Sequence, residues 1–418
     1  MIFYGKQSID ENDIDAVVEV LKSDFLTQGP AIEKFEKCVA EYCGAKYAVA
    51  VTSATAALHI SCLSAGLGKD DILWTSPITF TASANCGRYC GADVDFVDID
   101  PSTYNMSIAE LEKKLQAAEI KPRVVVPVHL AGQSCEMDKI YKLSQKYGFK
   151  VIEDASHAIG ADYKETKVGC CKYSDMTVFS FHPVKIVTTG EGGMVLTNDK
   201  DLYEKLVLYR SHGITRDPKL MTGIADGPWY YQQIDLGFNY RMTDMQAALG
   251  YSQMQKVDEF VSKRRYLVKR YNELLKNING IQLPDQNEDT KSSWHLYVVR
   301  VDFSKISKTK NQIFAEMKEK GICLNLHYIP VHTQPYYENL GFKGGDFPNS
   351  EKYYEYCSGT YYCDGKPFSG YTLHMPSDVV LTFYIPAGLN YDNTSLIDFL
   401  DLDADQYAYF FMTAFLIC

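Results

Sequence analysis

Residues 177–197 read TVFSFHPVKIVTTGEGGMVLT, a stretch with two apolar runs separated by a turn and a lysine. The runs Thr177–Phe181 and Met194–Thr197 lack the polar alternation of a half-exposed strand, which indicates strands buried on both faces. Pro183 disfavours helix at the residue before it, so the first strand ends there and a turn presents Lys185. No long helix separates the two predicted strands.

Upstream of this stretch, short apolar runs alternate with helical patterns, which is typical of an α/β protein whose mainly parallel sheet is covered by helices. The predicted strands are Ala48–Val51, Ile72–Trp74, Val94–Val97, Val124–Val128 and Val151–Ile152, and the predicted helices are Ala56–Ala65, Ala82–Cys90, Ile108–Leu115 and Met137–Tyr147. Downstream, a long helical region from Met242 to about Asn277 precedes a strand at Leu296–Val301 and a helix near Asn311–Lys320. We therefore predict a large domain over 1–250, a smaller α/β domain over 251–356 and an atypical tail over 357–418.

The composition restricts the class of protein. A chain of 418 residues has room for more than one domain. Its net charge of −11 argues against a partner such as nucleic acid or an anionic membrane, which needs a basic face. The residues Met1–Asp10 contain no apolar signal region, and no apolar run nears the roughly 18 residues of a spanning helix. The twelve cysteines have no paired spacing of a zinc site, so we expect no metal, reduced thiols and a cytoplasmic location.

Polar residues follow two of the predicted strands, at the edge where ligands bind in α/β sheets. Thr52–Ala56 is small and hydroxylated and opens a helix, so its backbone N–H groups could hold a phosphate, although Ser and Thr are also ordinary N-caps. Asp154 ends the strand at Val151–Ile152. A carboxylate there could pair with a protonated ring nitrogen of a cofactor such as pyridoxal phosphate, or could simply cap a helix.

Lys185 is the third candidate. It lies between apolar neighbours and before a Gly-rich turn, and desolvation there would lower its pKa and free the amine for Schiff-base chemistry. A single lysine of this kind is otherwise a surface residue with a buried stem. The order of the three features along the chain is more informative than any one of them.

Four stretches together resemble the DegT/DnrJ/EryC1/StrS family of sugar-nucleotide aminotransferases. The stretches are Ser53–Leu58, Ile152–Ala158, Ser180–Gly193 and Leu236–Asp244. The resemblance covers about residues 1–355 and implies fold type I of the pyridoxal-phosphate enzymes, which is the aspartate-aminotransferase fold. It implies pyridoxal 5′-phosphate as cofactor.

The resemblance also implies roles for residues around the cofactor ring. Lys185 would be the Schiff-base lysine and would carry the proton during amino transfer. Asp154 would pair with the pyridine nitrogen, His157 would approach the 3-oxygen of the ring, and Phe80 would stack on the ring face. Relatives that dehydrate the sugar have histidine at the position of Lys185, so the lysine favours amination.

Around the phosphate, the resemblance implies binding by Ala54, Thr55 and Ser180. Asn239 would reach the phosphate from the partner subunit, which implies a homodimer. Within the family, Ser23–Pro30 and His327–His332 resemble a branch of the pseudaminic acid pathway. That branch moves an amino group from L-glutamate to C4 of a UDP-linked 4-keto-6-deoxy-N-acetylhexosamine.

The chain departs from the family pattern near residue 357, where a Leu-Pro turn and a final amphipathic helix normally follow. The segment Tyr407–Cys418 is almost wholly apolar and is a predicted aggregation hazard. We interpret 357–418 as the product of a frame shift, with a genuine extension as the alternative.

Three alternative functions remain open: an aminotransferase for another nucleotide-linked 4-keto or 3-keto sugar, a non-catalytic protein of the same fold, and a Rossmann-type oxidoreductase. The last is disfavoured because no Gly-x-Gly-x-x-Gly follows the first strand.

Overall fold

The computed structural model describes residues 5–302, 305, 308–355, 362–363, 366–367 and 378–384. Its helices are α1 Glu11–Lys22, α2 Pro30–Cys43, α3 Ala54–Ser64, α4 Ala82–Tyr89, α5 Ile108–Ala117, α6 Met137–Tyr147, α7 Lys200–Arg210, α8 Asp244–Met254, α9 Val257–Leu275, α10 Lys310–Glu319, α11 Pro335–Glu338 and α12 Pro348–Glu355. Its first nine strands are β1 Tyr47–Val51, β2 Ile72–Thr75, β3 Asp93–Phe96, β4 Val124–Val126, β5 Lys150–Asp154, β6 Asp162–Tyr163, β7 Thr166–Lys167, β8 Met176–Ser180 and β9 Gly193–Thr197. The later strands are β10 Ile214–Thr215, β11 Gln232–Gln233, β12 Ile281–Gln282, β13 Thr290–Lys291, β14 Leu296–Asp302, β15 Tyr362–Cys363, β16 Lys366–Pro367 and β17 Asp378–Tyr384.

A seven-stranded sheet with the strand order β1-β9-β8-β5-β4-β2-β3 forms the centre of the molecule. The pairs of the β3-β2-β4-β5-β8 run are all parallel, whereas β9 is antiparallel to both β8 and β1. The prediction of a mainly parallel α/β sheet is thereby confirmed. The antiparallel β9 follows from the short connection after β8, because a parallel neighbour would need a crossover of a dozen or more residues.

The strands β4, β8 and β9 are buried at every residue, as expected for a sheet with helices on both faces. Helix α3 is apolar on most sides and has eight of its eleven residues buried, so it lies inside the fold rather than on its surface. Since α3 starts directly after β1, its N-terminus is held at the carboxyl edge of the central sheet.

A second, three-stranded sheet has the order β12-β14-β17. Strand β14 packs in an apolar cluster with the helices α9 and α10, which contribute Val268, Leu275, Ile313 and Met317. The predicted boundary of this smaller domain, 251–356, stays a prediction. Strands β15, β16 and β17 belong to the predicted tail, and β17 pairs with β14 from Leu296↔Tyr384 to Asp302↔Asp378. The other tail residues, including Tyr407–Cys418, lie outside the described residues.

The long helical region predicted from Met242 to about Asn277 is two helices, α8 and α9, which are separated at Gln255–Lys256. Apolar periodicity continues across the break, with Met254 and Val257 both buried, and this continuity concealed it in the sequence. In the described part of the chain, no helix is both long and apolar enough to cross a membrane.

Asp244 connects two helices that are distant in the sequence. It is buried at the start of α8, and its carboxylate accepts hydrogen bonds from the backbone N–H groups of Gly29 (2.8 Å) and Ala31 (3.0 Å). Helix α2 has Gly29 as its N-cap and no side-chain cap of its own. The carboxylate of Asp244 therefore caps α2 from outside and also opposes the positive end of its dipole.

We predict that Asp244→Asn destabilises the protein. Gly29 and Ala31 donate to different carboxylate oxygens, and the amide replaces one of these with an NH₂ group that faces an N–H group, at a cost of about 1–3 kcal/mol for the unpaired buried group. The midpoint of thermal unfolding should fall by several degrees, measured by circular dichroism. Glu19→Gln, at an exposed residue with a single 3.7 Å ion pair to Lys22, is the control and should not shift it. An Asp244→Asn midpoint equal to that of the control would contradict the capping role.

Candidate active site

The predicted site residues meet at the carboxyl edge of the central sheet. Strand β5 ends at Asp154 and the neighbouring parallel strand β8 ends at Ser180, with the register Asp154↔Val178. Strand β1 leads into α3 at the same edge, and β2 leads into the segment that carries Phe80. The topology thus brings together residues that are up to about 130 positions apart in the sequence.

Asp154 is 6% exposed, and both of its carboxylate oxygens are hydrogen-bonded. Oδ1 accepts from the Ser156 backbone N–H (3.1 Å) and hydroxyl (2.6 Å), and Oδ2 accepts from the Ser83 hydroxyl (2.6 Å). No helix starts at this residue, so the alternative that Asp154 caps a helix is wrong. A buried carboxylate that only accepts hydrogen bonds is suited to pair with a protonated nitrogen.

Lys185 lies in the turn after β8, where its backbone N–H donates to His182 O at 2.9 Å. The residue is partly exposed, with the buried Ile186 and Val187 beside it. Burial of the amine lowers the pKa of Lys185 to about 8, against the opposing attraction of the Asp154 carboxylate. A usable fraction of the amine is therefore neutral near pH 7.5, as the sequence predicted for a nucleophilic lysine.

The turn between β1 and α3, residues Thr52–Ala56, forms the predicted phosphate site and is called the phosphate turn below. Ser53 caps α3 by accepting from the Ala56 N–H at 3.1 Å, which leaves the N–H groups of Ala54 and Thr55 at the open end of the helix. The first turn of α3 contains no acidic residue, so its dipole attracts an anion without opposition.

Gly193 packs the phosphate turn against β8. It pairs with Val51 on one side and with Ser180 on the other. A Cβ atom at Gly193 would lie 2.4 Å from the Ser53 carbonyl carbon and 2.5 Å from the Ala54 nitrogen. Only glycine permits this approach, which brings Ser180 next to the phosphate turn.

His157 is buried between backbone and aromatic groups. Its Nδ1 accepts from the Ala131 N–H at 3.2 Å, so a neutral ring carries its proton on Nε2, which lies 3.2 Å from the Tyr328 hydroxyl. Burial, together with the positive charge of Lys185, holds the pKa of His157 well below its usual range. The rings of His157 and the buried His295 lie 4.5 Å apart.

Phe80 is 61% exposed although it lies at the inner edge of the site, with its ring 6.3 Å from that of Tyr328. A large exposed aromatic ring beside buried polar groups is suited to cover the face of a planar ligand. Asn239 is exposed next to Tyr240, whose carbonyl accepts from the Thr52 N–H at 2.9 Å. Its predicted role in the site of a partner subunit stays a prediction.

These residues fit pyridoxal phosphate. A buried carboxylate, a lysine of lowered pKa, an exposed aromatic ring and an open helix N-terminus without acidic residues match the four parts of that cofactor. Among the described residues, no group of three or more His, Cys, Asp or Glu side chains could hold a metal ion.

Sequence reasoning missed Ser83 and Tyr328 as site residues. Tyr328 lies in His327–His332, a stretch that was noted only for its resemblance to one branch of the family. Ser83 is a small residue within a helix, and nothing in the sequence distinguishes it from a packing residue. The contact that identifies it, with Asp154, spans 71 positions.

Comparisons with known proteins identify relatives over most of the chain. The model of the DegT/DnrJ/EryC1/StrS aminotransferase family matches residues 7–359. The UDP-4-amino-4,6-dideoxy-N-acetyl-beta-L-altrosamine transaminase of Campylobacter jejuni (serotype O:23/36, strain 81-176) is 38% identical over 343 residues, which cover 81% of this chain and 87% of that protein. GDP-perosamine synthase of Caulobacter vibrioides is 38% identical over 336 residues, which cover 79% of this chain and 85% of that protein.

The fold is similar to that of a solved sugar aminotransferase. Helicobacter pylori PseC, described as an aminotransferase involved in the biosynthesis of pseudoaminic acid, superposes with a TM-score of 0.82 at 28% identity and covers 100% of both chains. These findings confirm the predicted family and the predicted fold class. The family match ends at residue 359, close to the predicted departure at residue 357. The frame-shift interpretation of the tail stays a prediction.

We predict that the rate at which the apoprotein captures pyridoxal phosphate depends on pH through Lys185. The neutral amine is the reactive form, so with a pKa of about 8 the rate should rise about tenfold per pH unit up to pH 8 and then level off. Stopped-flow absorbance measures the rate, and Nα-acetyl-lysine, with an ordinary amine, is the control. A rate that still rises tenfold per unit above about pH 9 would show that the amine is not desolvated.

We also predict that Gly193→Ala weakens cofactor binding. The added methyl group meets backbone atoms of the phosphate turn, which cannot move without shifting the N-terminus of α3. The dissociation constant for pyridoxal phosphate should rise by roughly tenfold, the effect of losing one hydrogen bond to a charged group, as measured by fluorescence titration. Gly68→Ala, where nothing lies within 4 Å of the new Cβ, is the matched control. Equal affinities in the two variants would be evidence against this packing role.

Proposed function

This chain belongs to the DegT/DnrJ/EryC1/StrS aminotransferase family, and we propose that it transfers the amino group of L-glutamate to C4 of a UDP-linked 4-keto-6-deoxy-N-acetylhexosamine, as in pseudaminic acid biosynthesis. The family match and the relatives establish the general activity: the chain is a pyridoxal-phosphate-dependent sugar aminotransferase. The observation that carries the proposal is the meeting of Lys185, Asp154 and the phosphate turn at one edge of the sheet. The relatives in Campylobacter jejuni and Helicobacter pylori favour this particular sugar.

Within the proposed reaction, bound pyridoxal phosphate supplies a carbonyl carbon that takes up nitrogen and a ring that withdraws electrons from the reacting carbon. Lys185 would hold it covalently. The Lys185 amine, with its pKa near 8, is able to take up and return a proton at neutral pH. The Asp154 carboxylate would hold a proton on the ring nitrogen, and the phosphate turn with Ser180 would fix the other end.

A groove beside the site supports a nucleotide-linked substrate. It has a volume of about 450 Å³ and lies between α4 and α11. Its lining consists of Thr81, Asn85, Arg88, Tyr89, Gln334, Pro335, Tyr336 and Tyr337. The volume falls within the roughly 300–1,000 Å³ of small-molecule sites.

The chemistry of the groove changes along α4. Thr81, Asn85, Arg88 and Tyr89 are spaced as one helix face and lead away from Phe80. Thr81 and Asn85 offer a hydroxyl and an amide near the sugar end. The Arg88 guanidinium is paired through Nη1 with the Asp93 carboxylate at 2.8 Å, and its remaining N–H groups would meet a phosphate. At the far end, Tyr89 is 54% exposed and Tyr336 is 53% exposed, so two aromatic rings are open to a base.

The remaining parts of the proposal concern assembly and location. We propose a homodimer in which Asn239 of each subunit reaches the phosphate site of its partner, since Asn239 is exposed in the single chain. Nine cysteines, from Cys38 to Cys323, are free thiols, which supports a cytoplasmic location.

Specific observations bear on each of the three alternative functions. GDP-perosamine synthase is as similar to this chain as the altrosamine transaminase, so a different nucleotide-linked keto sugar is the competing substrate. A non-catalytic protein of the same fold is disfavoured by the lowered pKa of Lys185 and by the intact set of site residues. The Rossmann-type oxidoreductase is wrong, because the chain belongs to an aminotransferase family.

We predict that protein loaded with pyridoxal phosphate converts the UDP-linked 4-keto sugar and L-glutamate into the 4-amino sugar and 2-oxoglutarate in equal amounts. Product NMR and an enzymatic assay for 2-oxoglutarate measure the two products. Lys185→Ala should lower the rate by about 10²–10⁴-fold, the usual contribution of a proton-transferring side chain. Lys205→Ala, at an exposed lysine on α7, should leave it unchanged.

The same assay separates the alternatives. Faster turnover of GDP- or dTDP-linked keto sugars would overturn the proposed substrate but keep the aminotransferase. Protein that takes up pyridoxal phosphate but exchanges no nitrogen with glutamate would support the non-catalytic alternative.

A further inference from the structure

We propose that Ser83, held in turn by Thr79, is a positioning residue for the Asp154 carboxylate. The inference rests on the proposed role of Asp154 toward the cofactor ring. It assigns a function in the reaction to two hydroxyl groups that the family resemblance left without one.

The hydrogen bonds of Asp154 distinguish its two oxygens. A carboxylate oxygen has two acceptor positions, and those of Oδ1 are both taken by Ser156, through its N–H and its hydroxyl. Oδ2 accepts a single described hydrogen bond, from the Ser83 hydroxyl at 2.6 Å. Oδ2 is therefore the oxygen with a position open to a ring N–H, and Ser83 contacts that same atom.

The three residues form a chain of hydrogen bonds with one direction. Asp154 as a carboxylate can only accept, so the single proton of the Ser83 hydroxyl points to it. The Thr79 hydroxyl, 2.7 Å from Ser83 Oγ, must then be the donor in their contact. Ser83 is 0% exposed and Thr79 is 2% exposed, so water does not compete for either hydroxyl.

The turn that carries Ser83 also carries the ring-covering side chain. The Ser83 backbone N–H donates to Phe80 O at 3.2 Å, so Phe80, which precedes α4, is joined to Ser83 in the first turn of the helix. Ser83 reaches Asp154 from this turn, which fixes the carboxylate relative to the exposed ring of Phe80. We infer that the hydroxyl sets the carboxylate at the height and angle that the ring nitrogen requires.

Buried hydroxyls also form hydrogen bonds that serve only the stability of the fold. The test therefore needs a measurement that a change in protein stability does not affect. The probe is pyridoxal phosphate labelled with ¹⁵N in the ring, bound to full-length protein. The ¹⁵N chemical shift reports whether the ring nitrogen carries a proton. Cofactor affinity and the rate of the glutamate half-reaction are measured on the same samples.

In wild-type protein the ¹⁵N shift should be that of a protonated ring nitrogen. In Ser83→Ala it should move toward the unprotonated position, and the glutamate half-reaction should slow roughly tenfold to a hundredfold, as for a lost hydrogen bond to a charged group. Alanine is a strong helix former, so α4 should persist. Ser83→Thr retains the hydroxyl and should retain the wild-type shift.

Thr79 provides a matched second pair. Thr79→Val keeps the volume and removes the donor, and should move the ¹⁵N shift in the same direction as Ser83→Ala. Thr79→Ser keeps the donor and should not move it. If the added methyl group of Ser83→Thr disturbs folding, the two Thr79 variants still test the positioning role.

The outcomes separate this inference from the proposed function. A wild-type ¹⁵N shift in both Ser83→Ala and Thr79→Val would overturn the positioning role, even if both variants were less stable. A wild-type protein that fails to bind the cofactor or to react with glutamate would instead overturn the proposed function.

Discussion

A carboxyl group that is 6% exposed has to be surrounded by hydrogen-bonding partners, and the arrangement of the site follows from this constraint on Asp154. Donors reach it from two directions. Ser156 comes from the turn that follows its own strand, and Ser83 comes from α4. The amine of Lys185 is the nearby opposite charge, and its pKa balances the cost of burial against the attraction of Asp154. Removing the carboxylate would leave the buried Ser83 hydroxyl, the half-buried Ser156 hydroxyl and a desolvated amine without their common partner.

The histidines around the site serve this balance by staying neutral. Burial and the charge of Lys185 hold the pKa of His157 well below its usual range, and they lower the pKa of His327 to about 3. Neutral rings add no positive charge beside Lys185, which would otherwise lower its pKa further. A neutral ring can also accept a hydrogen bond, as His157 Nδ1 does from the Ala131 N–H. Asp154 thus supplies the acidic group and Lys185 the basic group, and buried neutral histidines lie beside them.

Much of this arrangement could be predicted from the sequence, because strand ends in a mainly parallel sheet share one edge. Asp154, Lys185 and the phosphate turn were found by their places after buried strands, and the structure brings them together. Ser83 could not be found in this way, since its role comes from a contact with Asp154 across 71 positions. The break between α8 and α9 was missed because both sides of it are apolar and buried. The role of Asn239 implied by the family resemblance requires a partner subunit and stays a prediction.

Helix α4 sets a fixed length in the molecule. On one side of its first turn, Ser83 donates a hydrogen bond to Asp154. The opposite face of the helix carries the groove residues from Thr81 to Tyr89. Its eight residues span about 12 Å, and a helix of this length does not stretch. In the proposed binding mode, the spacer between keto sugar and base would have to match that span. A sugar monophosphate would be too short to engage both ends, and a longer polyphosphate would push the base past the tyrosines. Specificity for a diphosphate linkage would thus depend on the number of residues in a helix as well as on the groups that line it.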